Sequence, residues 1–210
     1  MHSLVIGATG RTGQEFVKQA LAAGQRVTAL VRSPEKVTIT DAGLTVLQGN
    51  GRNAATVNQA VAAGPYDAIL ILVGGGLVRS TVNQVITQHV IAAMKKNKST
   101  ARLWILSAAG TGNSVDQVSF FAKALKATVL RAPFGDHERQ ETDVRSSGLP
   151  YTIVRPVGLT EDPVSGGKYI AKEEGKVPKN TIPRADVAHY MVHHLTDPGL
   201  EAKAVTMSST

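Results

Sequence analysis

Three glycines at a fixed spacing near the start of the chain restrict its fold more than any other feature. They belong to the run Gly-Ala-Thr-Gly-Arg-Thr-Gly over residues 7–13. A short apolar segment precedes this run, and an amphipathic stretch carrying Phe16 and Leu21 follows it, before a second apolar segment at residues 27–31. This order predicts a strand, a tight turn, a helix and a second strand, which together form a βαβ unit of a parallel sheet.

Each glycine of the run has its own mechanical role. Gly7 permits the tight exit from the strand, Gly10 lets the backbone approach a pyrophosphate, and Gly13 allows close packing of helix and strand. The N–H groups at the helix start, together with the helix dipole, bind phosphate. We therefore predict a dinucleotide site here rather than a purely structural turn. The predicted contacts are Gly7, Thr9, Gly10, Arg11, Thr12 and Gly13.

The end of the second strand indicates which dinucleotide binds. NAD-binding proteins usually place a carboxylate there for the ribose 2′-hydroxyl, whereas an arginine accommodates the 2′-phosphate of NADP. This chain has Arg32 and Ser33 at that position, with Lys36 close by. A guanidinium forms paired hydrogen bonds with phosphate oxygens. The alternative is a solvated surface arginine, but the position favours NADP(H) as the cofactor.

The remaining sequence alternates apolar strands with helical patterns, which predicts an α/β fold with a doubly wound parallel sheet of the Rossmann type. The length suits one domain over residues 1–210, with residues 157–210 as a small C-terminal part beside the substrate. Further strands are expected at residues 44–50, 67–73, 102–107 and 151–155, and helices at 53–63, 78–96 and 135–147.

The Gly-x-x-Gly-x-x-Gly spacing, close to the start of the chain, resembles the atypical short-chain dehydrogenase/reductase superfamily. The sequence SGLPYTIVRPVGLTEDP at residues 147–163 is similar to the segment of atypical reductases whose backbone lines the nicotinamide. Residues 165–197 resemble the C-terminal part of the biliverdin reductase B / flavin reductase-like group, with NmrA-like regulators as neighbours. The resemblance extends from about residue 4 to about residue 208.

This resemblance implies further contacts with the cofactor. An adenine contact is expected from Asn50 and Gly51, and a nicotinamide contact from Pro156, Val157 and Gly158. Val73 and Gly74–Gly76 follow the fourth strand. Glycines at this place allow the backbone to pass close to the ribose and phosphate of the cofactor. A flexible turn is the alternative at that exit. The predicted contacts there are Val73, Gly74 and Gly75, and Ser107 at the end of strand five completes the set.

Catalytic residues are harder to assign, because the Tyr-x-x-x-Lys pair of ordinary short-chain reductases is absent. In that pair a lysine lowers the pKa of the tyrosine, so that the phenol can transfer a proton. Relatives often have a serine at the position of Ser107 and a second one after it, where this chain has Ala108. His137 lies where better-known members have a histidine. Ser107 and His137 are therefore the catalytic candidates, with a surface histidine as the alternative for His137.

A histidine pair and an aspartate on the last predicted helix are expected to have structural roles. His189 and His193 are four residues apart on a predicted helix and could bind zinc, but no third ligand is evident. We therefore predict no metal site. Asp186 lies near the start of the same helix, where we expect it to act as a cap.

Composition excludes several functional classes. The chain has no cysteine, so disulfides, thiolate catalysis and cysteine-bound metals are ruled out, in agreement with a cytoplasmic location. A net charge of +7 would suit an anionic ligand, whereas scattered basic residues and 4% aromatic residues argue against nucleic acid. No apolar run approaches the roughly 20 residues of a membrane span. The sequence leaves a homodimer open.

Two functions agree with these observations. The first is an NADPH-dependent reductase that transfers hydride to a small, flat conjugated acceptor such as a flavin, a quinone or a tetrapyrrole. Such acceptors can take their proton from water, so the missing Tyr-x-x-x-Lys pair need not abolish turnover. The second is a non-catalytic NADP(H)-binding redox sensor of the NmrA-like type. The missing proton donor favours the sensor, and the compact C-terminal part favours the reductase.

Overall fold

The computed structural model describes residues 1–74, 81–117 and 131–210, the side chains of residues 131–133 excepted. The described residues contain ten strands and five α-helices. The strands are β1 His2–Ile6, β2 Arg26–Val31, β3 Leu44–Gln48, β4 Ala68–Ile71, β5 Arg102–Leu106, β6 Tyr151–Pro156, β7 Gly158–Thr160, β8 Tyr169–Lys172, β9 Thr181–Pro183 and β10 Lys203–Ser209. The helices are α1 Arg11–Ala22, α2 Ala54–Ala62, α3 Val82–Lys96, α4 Arg131–Arg145 and α5 Arg184–His194.

Eight of these strands form one sheet, in the order β3-β2-β1-β4-β5-β6-β10-β8. All neighbours in this sheet pair in parallel except β8, which runs antiparallel to β10. The chain reverses its direction of winding between β1 and β4, which is the place where open α/β sheets bind their ligands. The predicted doubly wound parallel sheet is therefore confirmed.

The helices cover both faces of the sheet because successive strand residues point to opposite sides. On one face, Val5 and the fully buried Trp104 pack with α1 and α5. On the other, Leu4 and Ile105 pack with α2, α3 and α4. The predicted apolar side of α1 is buried in the first of these layers.

The C-terminal part is more closely joined to the domain than the sequence suggested. Residues 157–210 supply β8 and β10 to the main sheet, and β7 and β9 form a separate two-stranded parallel sheet. Strand β10 pairs with β6, from Lys203 opposite Thr152 to Met207 opposite Pro156. The segment thus extends the main sheet beyond β6.

Two sequence expectations need correction. Helix α4 begins at Arg131 rather than Gly135, because a proline such as Pro133 is tolerated in the first turn, where an N–H has no partner within the helix. Helix α3 is described from Val82, and its predicted start at residue 78 lies outside the described residues. Asp186 does not cap α5: the cap position is Pro183, and Asp186 accepts a hydrogen bond from the Ser165 backbone N–H at 2.7 Å.

Candidate functional site

The predicted cofactor contacts that the structure describes lie on the side of the sheet formed by the carboxyl ends of its parallel strands. Because the strands are parallel, the residues that follow their carboxyl ends share the edge at which the order reverses. These residues are Gly7–Gly13 after β1, Arg32 and Ser33 after β2, Asn50 and Gly51 after β3, Val73 and Gly74 after β4, Ser107 after β5, and Pro156–Gly158 at the end of β6. Gly75 was also predicted, but it lies outside the described residues.

The glycine turn is packed too tightly to admit side chains at two positions. Gly7 has a φ of +97°, and a Cβ there would lie 2.6 Å from the carbonyl oxygen of Leu72. A Cβ on Gly13 would lie 2.1 Å from the carbonyl oxygen of Gly7. Gly10 donates its N–H to the same Gly7 oxygen at 2.9 Å. The first and third glycines therefore have the roles in backbone geometry and packing that their spacing predicted.

The start of α1 is open to an anion. Gly10 is its cap residue, no side chain caps it, and its first turn contains no acidic residue. The first backbone hydrogen bond of the helix runs from the Gln14 N–H to the Gly10 carbonyl oxygen, at 2.8 Å. The N–H groups of residues 11–13 therefore have no acceptor within the helix. These donors and the helix dipole fit the diphosphate of a dinucleotide.

Arg32 and Ser33, the predicted contacts of the 2′-phosphate, follow the end of β2. Arg32 follows β2 directly, is exposed, and forms no ion pair with any residue that the structure describes. Ser33 precedes a short 3₁₀ turn at Pro34–Lys36, and its hydroxyl does not cap that turn. A cavity of about 180 Å³ is lined in part by Thr9 of the glycine turn, by Glu15 of α1 and by Lys36. Among the residues that the structure describes, neither Arg32 nor Lys36 has an ion-pair partner.

The exits of β3 and β4 differ in their packing. Gly51 is buried, and a Cβ there would lie 3.1 Å from Ile6 and 3.3 Å from Ile86. Asn50 is exposed, and its Oδ1 accepts the Arg52 backbone N–H at 3.0 Å. Within the described part of the chain, its amide nitrogen has no hydrogen-bond partner. Gly74 is exposed, and no described atom lies within 4 Å of where its Cβ would be.

Backbone hydrogen bonds fix the exit of β6. Pro156 accepts the Ala109 N–H at 2.9 Å, and Val157 donates to Met207 at 3.0 Å. Gly158 then donates to Asn180 at 2.9 Å, and a Cβ on Gly158 would lie equally close to that oxygen. The segment expected to line the nicotinamide is therefore held between the end of β5, β10 and the residue before β9.

Ser107 belongs to a buried polar network that the sequence analysis missed. Its hydroxyl donates to Glu141 Oε1 at 2.6 Å. Glu141 also accepts two hydrogen bonds from Arg155, at 2.9 Å from Nε and 2.5 Å from Nη2, and Arg155 Nη1 donates to Asn113 at 2.8 Å. The hydroxyl proton of Ser107 therefore points to a carboxylate of the protein. One signal was available: Arg155 is the one charged residue of the predicted strand at residues 151–155, and a buried charge requires a partner.

His137 lies one helical turn before Glu141, on the same side of α4. Burial lowers the pKa of His137, and Gln140, Asp136 and Glu141 oppose that shift. Gln140 donates through its amide nitrogen to Thr87 at 3.0 Å, so its oxygen faces His137 Nδ1 at 3.3 Å. Neutral His137 consequently carries its proton on Nδ1, which leaves Nε2 as an acceptor.

The position of α4 depends on a second buried carboxylate. Asp136 accepts the backbone N–H groups of Asn83 and Gln84 at 3.0 and 3.1 Å, at the start of α3. Thr81, the cap residue of α3, does not cap it through its side chain. Asp136 therefore caps α3 from a neighbouring helix and fixes the turn that carries His137.

The histidines of α5 form ring contacts. His189 and His193 stack with centroids 4.1 Å apart, and His189 Nδ1 lies 2.9 Å from the Tyr169 hydroxyl. Burial and the neighbouring His193 lower the pKa of His189. Within residues 1–74, 81–117 and 131–210, no three potential metal ligands come together. The same ranges contain no helix with the length and apolar character needed to cross a membrane.

Comparison with known proteins agrees with this geometry. The sequence profile of a family described as NAD(P)H-binding matches residues 7–198, which include the glycine turn and the strand-end residues described above. The chain belongs to this NAD(P)H-binding family. Its cofactor is accordingly a nicotinamide dinucleotide, as the glycine turn predicted.

The similar proteins include reductases. Reductase pytE of Aspergillus terreus is 27% identical, over 96% of this chain and 95% of the relative. Among solved structures, ChuY of Escherichia coli O157:H7, an anaerobilin reductase, has a TM-score of 0.82 and 25% identity, covering 100% of this chain and 97% of ChuY. A short-chain dehydrogenase/reductase of Veillonella parvula, solved with NADP, has a TM-score of 0.80 over 99% of this chain and 94% of that one. At 19% identity, this last likeness shows the fold alone.

Proposed function

We propose that this protein is an NADPH-dependent reductase that transfers hydride to a flat conjugated acceptor, such as a flavin, a quinone or a tetrapyrrole. The observation that carries the proposal is the uncapped start of α1 beside Arg32, an exposed cation without an ion-pair partner among the described residues. The N–H groups at the start of α1 would bind the diphosphate of NADPH, and Arg32 would bind its 2′-phosphate. When bound, the cofactor supplies the hydride, and the protein supplies its orientation.

The preference for NADPH follows from charge at the end of β2. Arg32 and Ser33 offer a guanidinium and a hydroxyl to a phosphate, and no carboxylate follows Val31 directly to accept a ribose hydroxyl. A charge-assisted hydrogen bond contributes about 1.5–3 kcal/mol, which corresponds to roughly ten- to a hundredfold in affinity. NADPH should therefore bind more tightly than NADH by about that factor.

The acceptor class is inferred from relatives and from the missing proton donor. Reductase pytE and ChuY are both reductases, and ChuY acts on anaerobilin. In this chain the hydroxyl of Ser107 donates to Glu141, and neutral His137 presents an acceptor at Nε2. An acceptor that takes its proton from solvent suits such a site better than a simple ketone does.

Steady-state oxidation of NADPH tests this function. The purified protein would be mixed with NADPH and either flavin mononucleotide or a soluble quinone, and the acceptor-dependent loss of NADPH would be followed. We expect turnover well above that of the same mixture without protein, and a large reduction in a Gly10→Ala variant. Tight binding of NADPH without turnover on any conjugated acceptor would contradict the proposal.

That contrary result would support a redox sensor, which is the second candidate. The observation in its favour is that both candidate catalytic side chains direct their protons to protein partners, Glu141 and Gln140. A sensor needs the same glycine turn and Arg32, but it needs no group that can release a proton. Cofactor binding alone would therefore not separate the two functions, whereas turnover would.

A further inference from the structure

The glycine turn is joined to the C-terminal part by one carboxylate. Oε1 of Glu161 accepts a hydrogen bond from Nη1 of Arg11 at 2.7 Å and another from Nη1 of Arg184 at 2.6 Å. Arg11 is the first residue of α1, Glu161 follows β7, and Arg184 opens α5. Two guanidinium groups from distant parts of the chain therefore share a single oxygen.

The two arginines are held very differently. The Arg184 side chain is 12% exposed, and its Nη1 also lies within hydrogen-bond distance of the carbonyl oxygens of Leu159 and Thr160, at 3.3 and 3.2 Å. The Arg11 side chain is 72% exposed, and Glu161 is its one ion-pair partner among the described residues. Arg184 thus fixes Glu161 from the protein side, and Arg11 is the partner that is free to leave.

We infer that Glu161 competes with the phosphate of the cofactor for Arg11. The inference rests on the proposed position of the diphosphate at the glycine turn. An anion bound there lies beside the residue whose guanidinium already contacts a carboxylate. Phosphate offers that guanidinium a charge-assisted, two-point partner, whereas the exposed Glu161 contact is a single hydrogen bond to an oxygen shared with Arg184.

This competition has two consequences. Glu161 lowers the affinity for the cofactor, because the Arg11 contact must be broken before Arg11 can turn to the phosphate. It also connects cofactor binding to the segment after β7, which Asp186 holds to α5 through the Ser165 N–H. An exposed ion pair has a small effect, so the expected change in affinity is a few-fold.

A double-mutant cycle with Arg11→Ala and Glu161→Gln tests the inference, with the dissociation constant of NADPH measured by fluorescence at low salt. Glu161→Gln should tighten binding by about 1.5- to fivefold when Arg11 is present, the range given by an exposed ion pair. In the Arg11→Ala background the same change should have no effect. Asp162→Asn is the matched control, because this neighbouring carboxylate accepts from Thr160 and does not contact Arg11.

Three outcomes would overturn the inference. One is an unchanged dissociation constant in Glu161→Gln. The second is equal tightening with and without Arg11. The third is equal tightening in Asp162→Asn. Either of these two results would show a general effect of negative charge near the site. Failure of the wild-type protein to bind NADPH would instead remove the proposed position of the phosphate, and the competition with it.

Discussion

Arg155 and Glu141 form a two-point ion pair in the interior, with their nitrogen–oxygen distances at 2.9 and 2.5 Å and both side chains buried. The pair joins β6 to α4 near the carboxyl end of β6, where the candidate site lies. The same carboxylate accepts the hydroxyl of Ser107 from the end of β5. Three elements that frame the candidate site are therefore held by one buried carboxylate.

Removal of one partner should be costly, because the other charge would remain buried without compensation. We expect Arg155→Ala to lower the free energy of unfolding by about 3–5 kcal/mol. Arg145 also lies near Glu141, at 3.9 Å, but it is 39% exposed, and Arg145→Ala should cost less than about 1 kcal/mol. Denaturant titrations followed by the fluorescence of Trp104, the only tryptophan, would measure both variants. Equal losses in the two variants would contradict this account.

The glycines of the turn should separate folding from binding. Gly13→Ala places a Cβ 2.1 Å from the Gly7 carbonyl oxygen, so we expect a loss of stability of about 1–3 kcal/mol or more. In Gly10→Ala the nearest atom, the same oxygen, lies at 3.2 Å, which a small adjustment can relieve. Gly10→Ala should therefore fold and lose affinity for NADPH by about tenfold or more, because the methyl group would occupy space that the phosphate needs. Wild-type affinity in a folded Gly10→Ala variant would place the phosphate elsewhere.

His137 should influence turnover only modestly. Since burial lowers its pKa below the usual value of about 6.5, the neutral form of the ring predominates at and above neutral pH. A rate that depended on protonated His137 would fall as the pH rose through that lowered pKa, and it would continue to fall as the pH rose through 7 and 8. We expect instead a pH–rate profile without such a fall between about pH 6.5 and 8. His137→Ala should lose less than the roughly 10²–10⁴-fold that a general acid contributes. A loss within that range would identify His137 as the proton donor.

The sequence was sufficient for the features that local pattern controls. The glycine turn, the apolar side of α1 and the buried run of β4 follow from spacing and periodicity, so they were predicted together with the parallel sheet. Helix ends were less accurate. The helix expected from residue 135 begins four residues earlier, because the sequence does not show whether Pro133 precedes a helix or lies in its first turn.

Contacts between distant segments could not be predicted in this way. Asp136 caps a helix that starts more than fifty residues earlier in the chain, and Glu161 bridges Arg11 and Arg184. No local pattern marks such pairs, because they depend on which loops the sheet order brings together. For the same reason the sequence indicated Ser107 as a site residue but did not identify Glu141, the carboxylate that accepts its hydroxyl proton.

The most direct test of the central claim compares the two nicotinamide cofactors as hydride donors to one conjugated acceptor, in the wild-type protein and in Arg32→Ala. We predict that wild-type kcat/KM for NADPH exceeds that for NADH by roughly ten- to a hundredfold, since Arg32 would contact the 2′-phosphate. Arg32→Ala should lose this preference and keep its activity with NADH. Equal values for the two cofactors in the wild-type protein, an unchanged preference in Arg32→Ala, or no turnover at all would contradict the account.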